Sequence, residues 1–328
     1  MMKKKIIITG GSGFIGTNLV EYLKKYNHDL LNFDINSPRN RSHDQFWVQG
    51  DIRDFARVKC EFGNINPNII VHLAARTDLH GKTLSDYSAN TDGVINVIQA
   101  ARKCKNLQLI LFASSRLVCR IGYGPKSEND YCPTTLYGES KIIGENLVRD
   151  NVDIISCPWL IFRPTSIWGP WFDTPYKEFF MSIIHRHYVH PKGRSIKKSF
   201  GYVGNTVYAI NHLINNFPAE LNGKTIYMCD YEPIDVLDWG TQIATMYGVK
   251  RPREVSMRFL EFLAKCGDML KTMGYKEPPL TSFRLDNILT DMIYDTSLLE
   301  KYCGPLPYSQ AEGIKATLDW LQRKENKT

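Results

Sequence analysis

Ile6-Ile7-Ile8-Thr9-Gly10-Gly11-Ser12-Gly13-Phe14-Ile15-Gly16 reads as a buried strand that runs into a glycine loop and then into a helix. Three consecutive β-branched residues without a polar break are the signature of a strand covered on both faces in a parallel sheet. Gly10 and Gly13 allow a tight turn and close approach of the backbone to a pyrophosphate, and Gly16 lets the new helix pack on the strand. Leu19, Val20 and Leu23 continue the helix amphipathically, so its first N–H groups point at the phosphates. Leu30-Leu31-Asn32-Phe33-Asp34 is the next strand, and Asp34 lies 18 residues beyond Gly16. A carboxylate there bonds the ribose 2′-OH of NAD and repels the 2′-phosphate of NADP; Arg39 and Arg41 follow closely, which disfavours NADP without excluding it. A plain structural turn with a surface aspartate is the competing reading. The strand before, the helix after and the acid beyond argue against it.

A chain of 328 residues is long enough for two domains, and 43% apolar with 23% charged residues is ordinary for a globular protein. The net charge of +7 is scattered, which suits anionic small molecules at least as well as nucleic acid. No basic arm or zinc-finger spacing points to nucleic acid. Met1 to Lys5 imitate the charged start of a signal peptide, but the apolar run ends at Thr9-Gly10 and is the first strand; no stretch reaches a membrane span. Eight cysteines without paired spacing point to reduced thiols in a cytoplasm and against a disulfide framework or a metal site.

Strand-like runs at Lys5 to Thr9, Leu30 to Asp34, Trp47 to Gln49, Ile69 to Leu73, Leu107 to Ala113 and Ile154 to Phe162 alternate with helical ones. Alternation of this kind predicts an α/β fold, a Rossmann-like doubly wound parallel sheet, with ligands at the carboxyl ends of the strands. Those ends carry Gly50-Asp51-Ile52-Arg53-Asp54, then Leu73-Ala74-Ala75, before an apolar helical run from Asn90. The ordered segments resemble the extended short-chain dehydrogenase/reductase superfamily, the NAD-dependent nucleotide-sugar epimerases and dehydratases, from Lys5 to about Tyr208. The resemblance implies an adenine contact for Asp51 and a cofactor channel lined by Ala74 and Ala75. Gly10, Gly13, Phe14, Ile15, Gly16, Asp34, Asp51, Ile52, Leu73, Ala74, Ala75 and Asn90 are thus the candidate cofactor residues, with Tyr137 and Lys141.

Phe112-Ala113-Ser114-Ser115 ends a strand, and Tyr137-Gly138-Glu139-Ser140-Lys141 opens a helix 22 residues beyond Ser115. A spacing of four stacks Tyr137 and Lys141 on one helical face. A free phenol titrates near ~10 and is a poor base at neutral pH. A nearby ammonium and the positive nicotinamide ring favour the phenolate, while Ser115 bonds the reacting hydroxyl. A Tyr-x-x-x-Lys spacing alone is a common accident on a solvated helix. Its place behind the glycine loop and the double serine makes it the family's Ser/Tyr/Lys triad. Dehydratases of the family carry an Asp-Glu pair directly after the catalytic serine or threonine; Arg116 and Leu117 stand here, so dehydration is disfavoured. Cys119 occupies the position of the family's loop tyrosine and reads as packing.

Phe162-Arg163-Pro164-Thr165-Ser166-Ile167-Trp168-Gly169 matches the segment that opens the substrate lobe, with Ser166 where many members have a phosphate-binding asparagine. Lys198 stands where an arginine is common, as a point charge for the diphosphate. Ser114, Ser115, Ser166 and Lys198 are the candidate substrate contacts. Phe179, Phe180 and Ile183 read as the buried side of a helix from about Pro175 to Arg186, and other aromatic residues nearby as stacking faces for a base. His185, His187 and His190 lack metal spacing, so no metal is expected. Helices follow at Val236 to Tyr247, Met257 to Met273 and Ala311 to Arg323. In the second, Phe259, Phe262, Leu263, Cys266, Met269, Leu270 and Met273 share a face, the pattern of core or a partner surface; a membrane surface is the lesser alternative, the polar face being only weakly basic.

The expectation is a cofactor domain over residues 1–165 and a smaller, mostly helical substrate lobe over 166–328, with strands that return to the main sheet left open. It is an NAD-dependent C4 epimerase of a nucleotide-diphosphate sugar in surface polysaccharide precursor synthesis, cytoplasmic and homodimeric through Asn90 to Lys103 and Tyr137 to Arg149, as in the family. A keto-sugar reductase and a non-catalytic cofactor-binding relative are the rivals; the latter predicts a broken triad.

Overall fold

The computed structural model describes residues 3–325 except 152, 154, 155, 174, 276, 277 and 279. Its centre is a seven-stranded parallel sheet in the order Thr225–Met228, β6 (Trp159–Pro164), β5 (Leu109–Ala113), β4 (Ile69–His72), β1 (Lys5–Thr9), β2 (Asp29–Asp34) and β3 (Trp47–Gln49). The order reverses between β1 and β4, which opens a crevice at the carboxyl ends of these two strands. Burial on both faces explains the isoleucine run. Ile6 and Ile8 enter one core with Leu19, Val20 and Leu23, whereas Ile7 enters the other with Phe62, Val97 and Ile110.

The flanking helices are α1 (Phe14–Leu23), α2 (Phe55–Ile65), α3 (Ser88–Ala101) and α4 (Leu136–Asp150). α3 and α4 lie side by side, and Gly144 lets them close, because a Cβ there would lie 2.8 Å from the Asn90 carbonyl. β6 starts later than the spacing predicts: Pro158 has no N–H to give the ladder, and the first ladder residue is Trp159. Ile154 and Ile155, the expected start, lie outside the described residues. The sheet is completed from beyond residue 165 by Thr225–Met228.

The remaining lobe begins with β7 (Ser166–Trp168) and carries α5 (Tyr176–Ile184), α6 (Val203–Asn215), α7 (Val236–Tyr247), α8 (Met257–Thr272) and α9 (Ser282–Leu289). Its aromatic residues are largely interior. Phe179 stacks on Trp239 with ring centroids 4.7 Å apart, and Phe180 and Trp168 are fully buried beside them. Of the two readings of α8, core or a partner surface, core is not realised: the helix buries Leu260, Ala264 and Gly267, and the apolar face from Phe259 to Met273 is turned outward. Among the described residues no helix is long and apolar enough to cross a membrane.

Candidate active site

At the end of β1 the backbone turns through Gly10, whose φ of 75° is the left-handed region; a Cβ there would lie 2.6 Å from the Ala74 nitrogen. Only glycine allows this approach of the β1 and β4 ends. α1 then starts from Gly13 with no side-chain cap and no acid in its first turn, which leaves that helix end to an anionic ligand. Asp34 closes β2. Its carboxylate accepts from the Ser12 N–H at 3.0 Å and the Asn36 N–H at 2.9 Å. Burial raises the Asp34 pKa, and these two backbone bonds oppose it. Arg39 is not free to meet a 2′-phosphate: it donates to the Ser12 and Trp171 carbonyls and pairs with Asp173 at 2.6 Å.

These groups border a cavity of about 810 Å³ lined by Gly10, Gly13, Phe14, Ile15, Gly16, Asp34, Asp51, Ile52, Leu73, Ala74 and Ala75, and at its other end by Ser114, Ser115, Tyr137 and Lys141. The volume lies in the range of pockets that enclose a small organic ligand. The glycine cradle, the uncapped helix end and the buried acid at the β2 terminus together fit a dinucleotide. Asp51 reaches the cavity with its carboxylate committed to Arg53 at 2.6 Å, whose hydrogen bond holds its pKa down.

The catalytic candidates meet where β5 ends and α4 begins. Thr135 caps α4 by accepting from the Gly138 N–H at 3.0 Å, which sets the first turn and with it Tyr137. Ser115 caps a short turn, accepting from the Leu117 N–H at 3.1 Å, and its side chain faces the Tyr137 phenol closely enough to oppose the rise in its pKa. One turn along, Lys141 donates to the Ala113 carbonyl at 2.6 Å. Burial pushes Lys141 down to about 8, with Glu145 opposing. The expected lowering of the Tyr137 phenol by Lys141 is absent. Burial raises its pKa, and the groups that oppose this are Ser115 and, among cations, Arg116.

Four expected contacts are used otherwise. Asn90 does not reach the cavity; its amide bonds both backbone groups of Arg76 and the Ser140 hydroxyl, so it ties the β4 loop to α4. Ser114 lines the cavity, but its hydroxyl donates to Glu145 at 2.6 Å. Ser166 is buried in β7, in register with Phe200, and its neighbours Thr165 and Ile167 line the cavity in its place. The Lys198 ammonium is buried and donates to the carbonyls of Asn287 and Thr290, which makes it a tie to the end of α9 and leaves it off the cavity wall.

Sequence reasoning also missed the base of the site. Glu145, buried one turn past Lys141, accepts from Ser114, from Arg163 at 2.8 and 2.7 Å, from Tyr131 at 2.9 Å and from Arg149 at 3.0 Å. Burial alone would raise its pKa; Arg163, Ser114 and Arg149 hold it below the usual glutamate range. The signal was present in the run Tyr137, Lys141, Glu145, which repeats every fourth residue on one helical face. Thr165 and Tyr176 also line the cavity, and Thr165 was findable as the residue after β6.

Comparison with known proteins accords with this geometry. The chain is 27% identical over 269 residues to 3-beta-hydroxysteroid dehydrogenase of Mycolicibacterium neoaurum, covering 76% of this chain and 71% of that one. It is 24% identical over 331 residues to the N-acetyl-alpha-D-glucosaminyl-diphospho-ditrans,octacis-undecaprenol 4-epimerase of Escherichia coli O157:H7, covering 97% and 96%. UDP-glucuronic acid 4-epimerase from Bacillus cereus, solved with UDP-glucuronic acid and NAD, shares the fold with a TM-score of 0.73 at 18% identity over 98% of this chain and 99% of that one. The model of the NAD dependent epimerase/dehydratase family matches residues 6–229, which hold the glycine loop, Asp34, Ser115, Tyr137 and Lys141. The chain belongs to the NAD dependent epimerase/dehydratase family.

Proposed function

We propose that the protein is an NAD-dependent 4-epimerase of a diphosphate-activated sugar, with Ser115, Tyr137 and Lys141 as its catalytic residues. The convergence of Ser115, Tyr137 and Lys141 on one wall of the cavity carries the reading, because it places a proton acceptor, a hydroxyl-binding group and a cation together. The likeness to a 4-epimerase over 97% of the chain supports the reaction class. NAD, when bound, supplies a reversible hydride acceptor and, oxidised, a positive ring. Tyr137 removes the proton of the sugar 4-hydroxyl, and Ser115 holds that oxygen as it becomes a carbonyl. Lys141, held by the Ala113 carbonyl, keeps a cation at the cavity wall one helical turn from Tyr137, where it would meet a bound cofactor. When the keto-sugar has turned its other face, Tyr137 returns the proton to the same oxygen. We further propose a cytoplasmic homodimer paired across α3 and α4, a compartment supported by the free thiols of all eight cysteines.

Proton NMR of the anomeric region tests this, with NAD and a panel of UDP-, dTDP-, GDP- and CDP-sugars. The expected result is a new signal of the C4 epimer with no build-up of NADH. Net oxidation of a hydroxyl is the second reading, favoured by the likeness to hydroxysteroid dehydrogenase. Stoichiometric NADH with no epimer would establish it instead.

NAD is expected to be preferred over NADP, because Asp34 is buried at the ribose end and Arg39 is engaged elsewhere. Asp34→Ala removes a charge-assisted bond and should weaken NAD by about ten- to a hundredfold while leaving NADP unimpaired. Titration of both cofactors checks this; an unchanged preference would remove Asp34 from the ribose site.

A further inference from the structure

α8 presents an apolar face that its own fold does not use. Leu260, Ala264 and Gly267 form its inner stripe, and a Cβ on Gly267 would run into the Leu280 carbonyl, so the helix is pressed against its neighbour in one fixed rotation. The side opposite is therefore held outward. Phe262 is 62% exposed, Met269 59% and Met273 74%, with Phe259, Leu263 and Leu270 beside them along the same face. Phe283 of α9, packed against α8, is 72% exposed. Scattered single apolar residues on a surface need no explanation, but a continuous face of this length does.

Charge around the face narrows the occupant. Between residues 250 and 275 the cations are Lys250, Arg251, Arg253, Arg258, Lys265 and Lys271, against Glu254, Glu261 and Asp268. By helical geometry Arg258 and Lys265 border the apolar face, while Glu261 and Asp268 fall nearer the inner stripe. Asp268 accepts from the Ser282 N–H at 3.1 Å and is thereby turned toward α9. Pairing of Val189–Pro191 with Arg253–Val255 brings Lys192 and Arg194 alongside the start of the helix.

We propose that α8, with α9 beside it, docks this protein on an anionic lipid bilayer, the phenylalanine, leucine and methionine side chains entering the acyl boundary and the bordering cations meeting the headgroups. An apolar helix face with lysine and arginine along one border, here Arg258 and Lys265 of a weakly basic helix supplemented by Lys192 and Arg194 from the adjoining segment, is a form that binds such surfaces. A second copy fits less well, since an antiparallel twofold contact across this face would set the Arg258 and Lys265 borders of the two copies against each other. Docking of this kind needs no membrane-spanning helix, and it does not depend on the catalytic reading.

Flotation of the full chain with vesicles of phosphatidylcholine, alone or with phosphatidylglycerol, tests the proposal. The protein should float with the phosphatidylglycerol vesicles, at least about tenfold less with phosphatidylcholine alone, and less as salt rises. The double variant F262E/M269E should lose flotation by about tenfold or more while its circular dichroism and NAD binding stay unchanged. Three results would each overturn the proposal: absence of flotation with anionic vesicles, flotation by the variant equal to that of the parent, or equal binding to neutral vesicles. Light scattering completes the test, because a dimer that the double variant splits, with no vesicle binding, assigns the face to a second copy.

Discussion

Replacement of Tyr137 by phenylalanine should lower kcat by about a thousandfold or more, with KM for the sugar little changed. Phenylalanine keeps the ring that packs against Tyr87 at a centroid distance of 6.1 Å, so the pocket is retained and only the hydroxyl is lost. That hydroxyl faces Ser115, and the neighbouring Lys141 cannot replace it as base, because its ammonium is bound to the Ala113 carbonyl. Burial raises the phenol, so proton abstraction relies on cations, Arg116 from the protein and the ring of oxidised NAD. Arg116→Met should therefore shift the pH–rate profile upward while sparing the fold. Steady-state kinetics decide the matter; a Tyr137→Phe enzyme that keeps more than about a tenth of its rate has another base.

The largest effect on stability is expected at Glu145, which touches neither cavity ligand nor solvent. Glu145→Leu leaves Arg163 buried with its carboxylate gone and should cost about 3 to 5 kcal/mol. The double change with Arg163→Met should cost less than the sum of its parts, because an apolar pair leaves no unpaired charge. Denaturant titration followed by tryptophan fluorescence measures both; a Glu145→Leu midpoint equal to that of the parent would show the network to be energetically idle. The sign with pH follows from the folded carboxyl lying below its ordinary value of 4.5. Its contribution is complete above the unfolded pKa and is lost as pH falls through the folded one, so acid should remove the difference between parent and variant.

What could be read in advance follows the range of the interactions involved. The isoleucine run, the glycine turn, Asp34 and the pair Tyr137 and Lys141 are local patterns, each written within a few residues by strand or helix periodicity; the first is core on both faces of the sheet, and the structure brings the other three to one cavity. Asn90, Ser114 and Lys198 carried the right chemistry, but the partners that occupy them lie far off in sequence: Ser140, Glu145, and the carbonyls of Asn287 and Thr290; Ser166 is buried by its strand register with Phe200, equally distant. The Glu145 and Arg163 pairing spans α4 and β6, so no spacing rule exposes it. Periodicity showed that α8 is amphipathic without saying which side faces in. That depended on the absence of a side chain at Gly267, which let the other stripe close on Leu280.

The strand Thr225–Met228 bears on how the chain is made. Its Thr225 is gripped by first-half side chains, the N–H by Glu128 at 2.8 Å and the hydroxyl by Arg149 at 2.6 Å, and Lys4 donates to the Ile214 carbonyl at 2.6 Å. A nascent chain that has emerged only to β6 therefore exposes a raw sheet edge of unpaired N–H and C=O groups, a template for a neighbouring chain on the same message. Synthesis must run on through residue 228 before that edge closes. The cofactor half thus matures only after residues 166–228 of the second lobe have left the ribosome, which makes this a protein whose earliest vulnerable moment comes during translation.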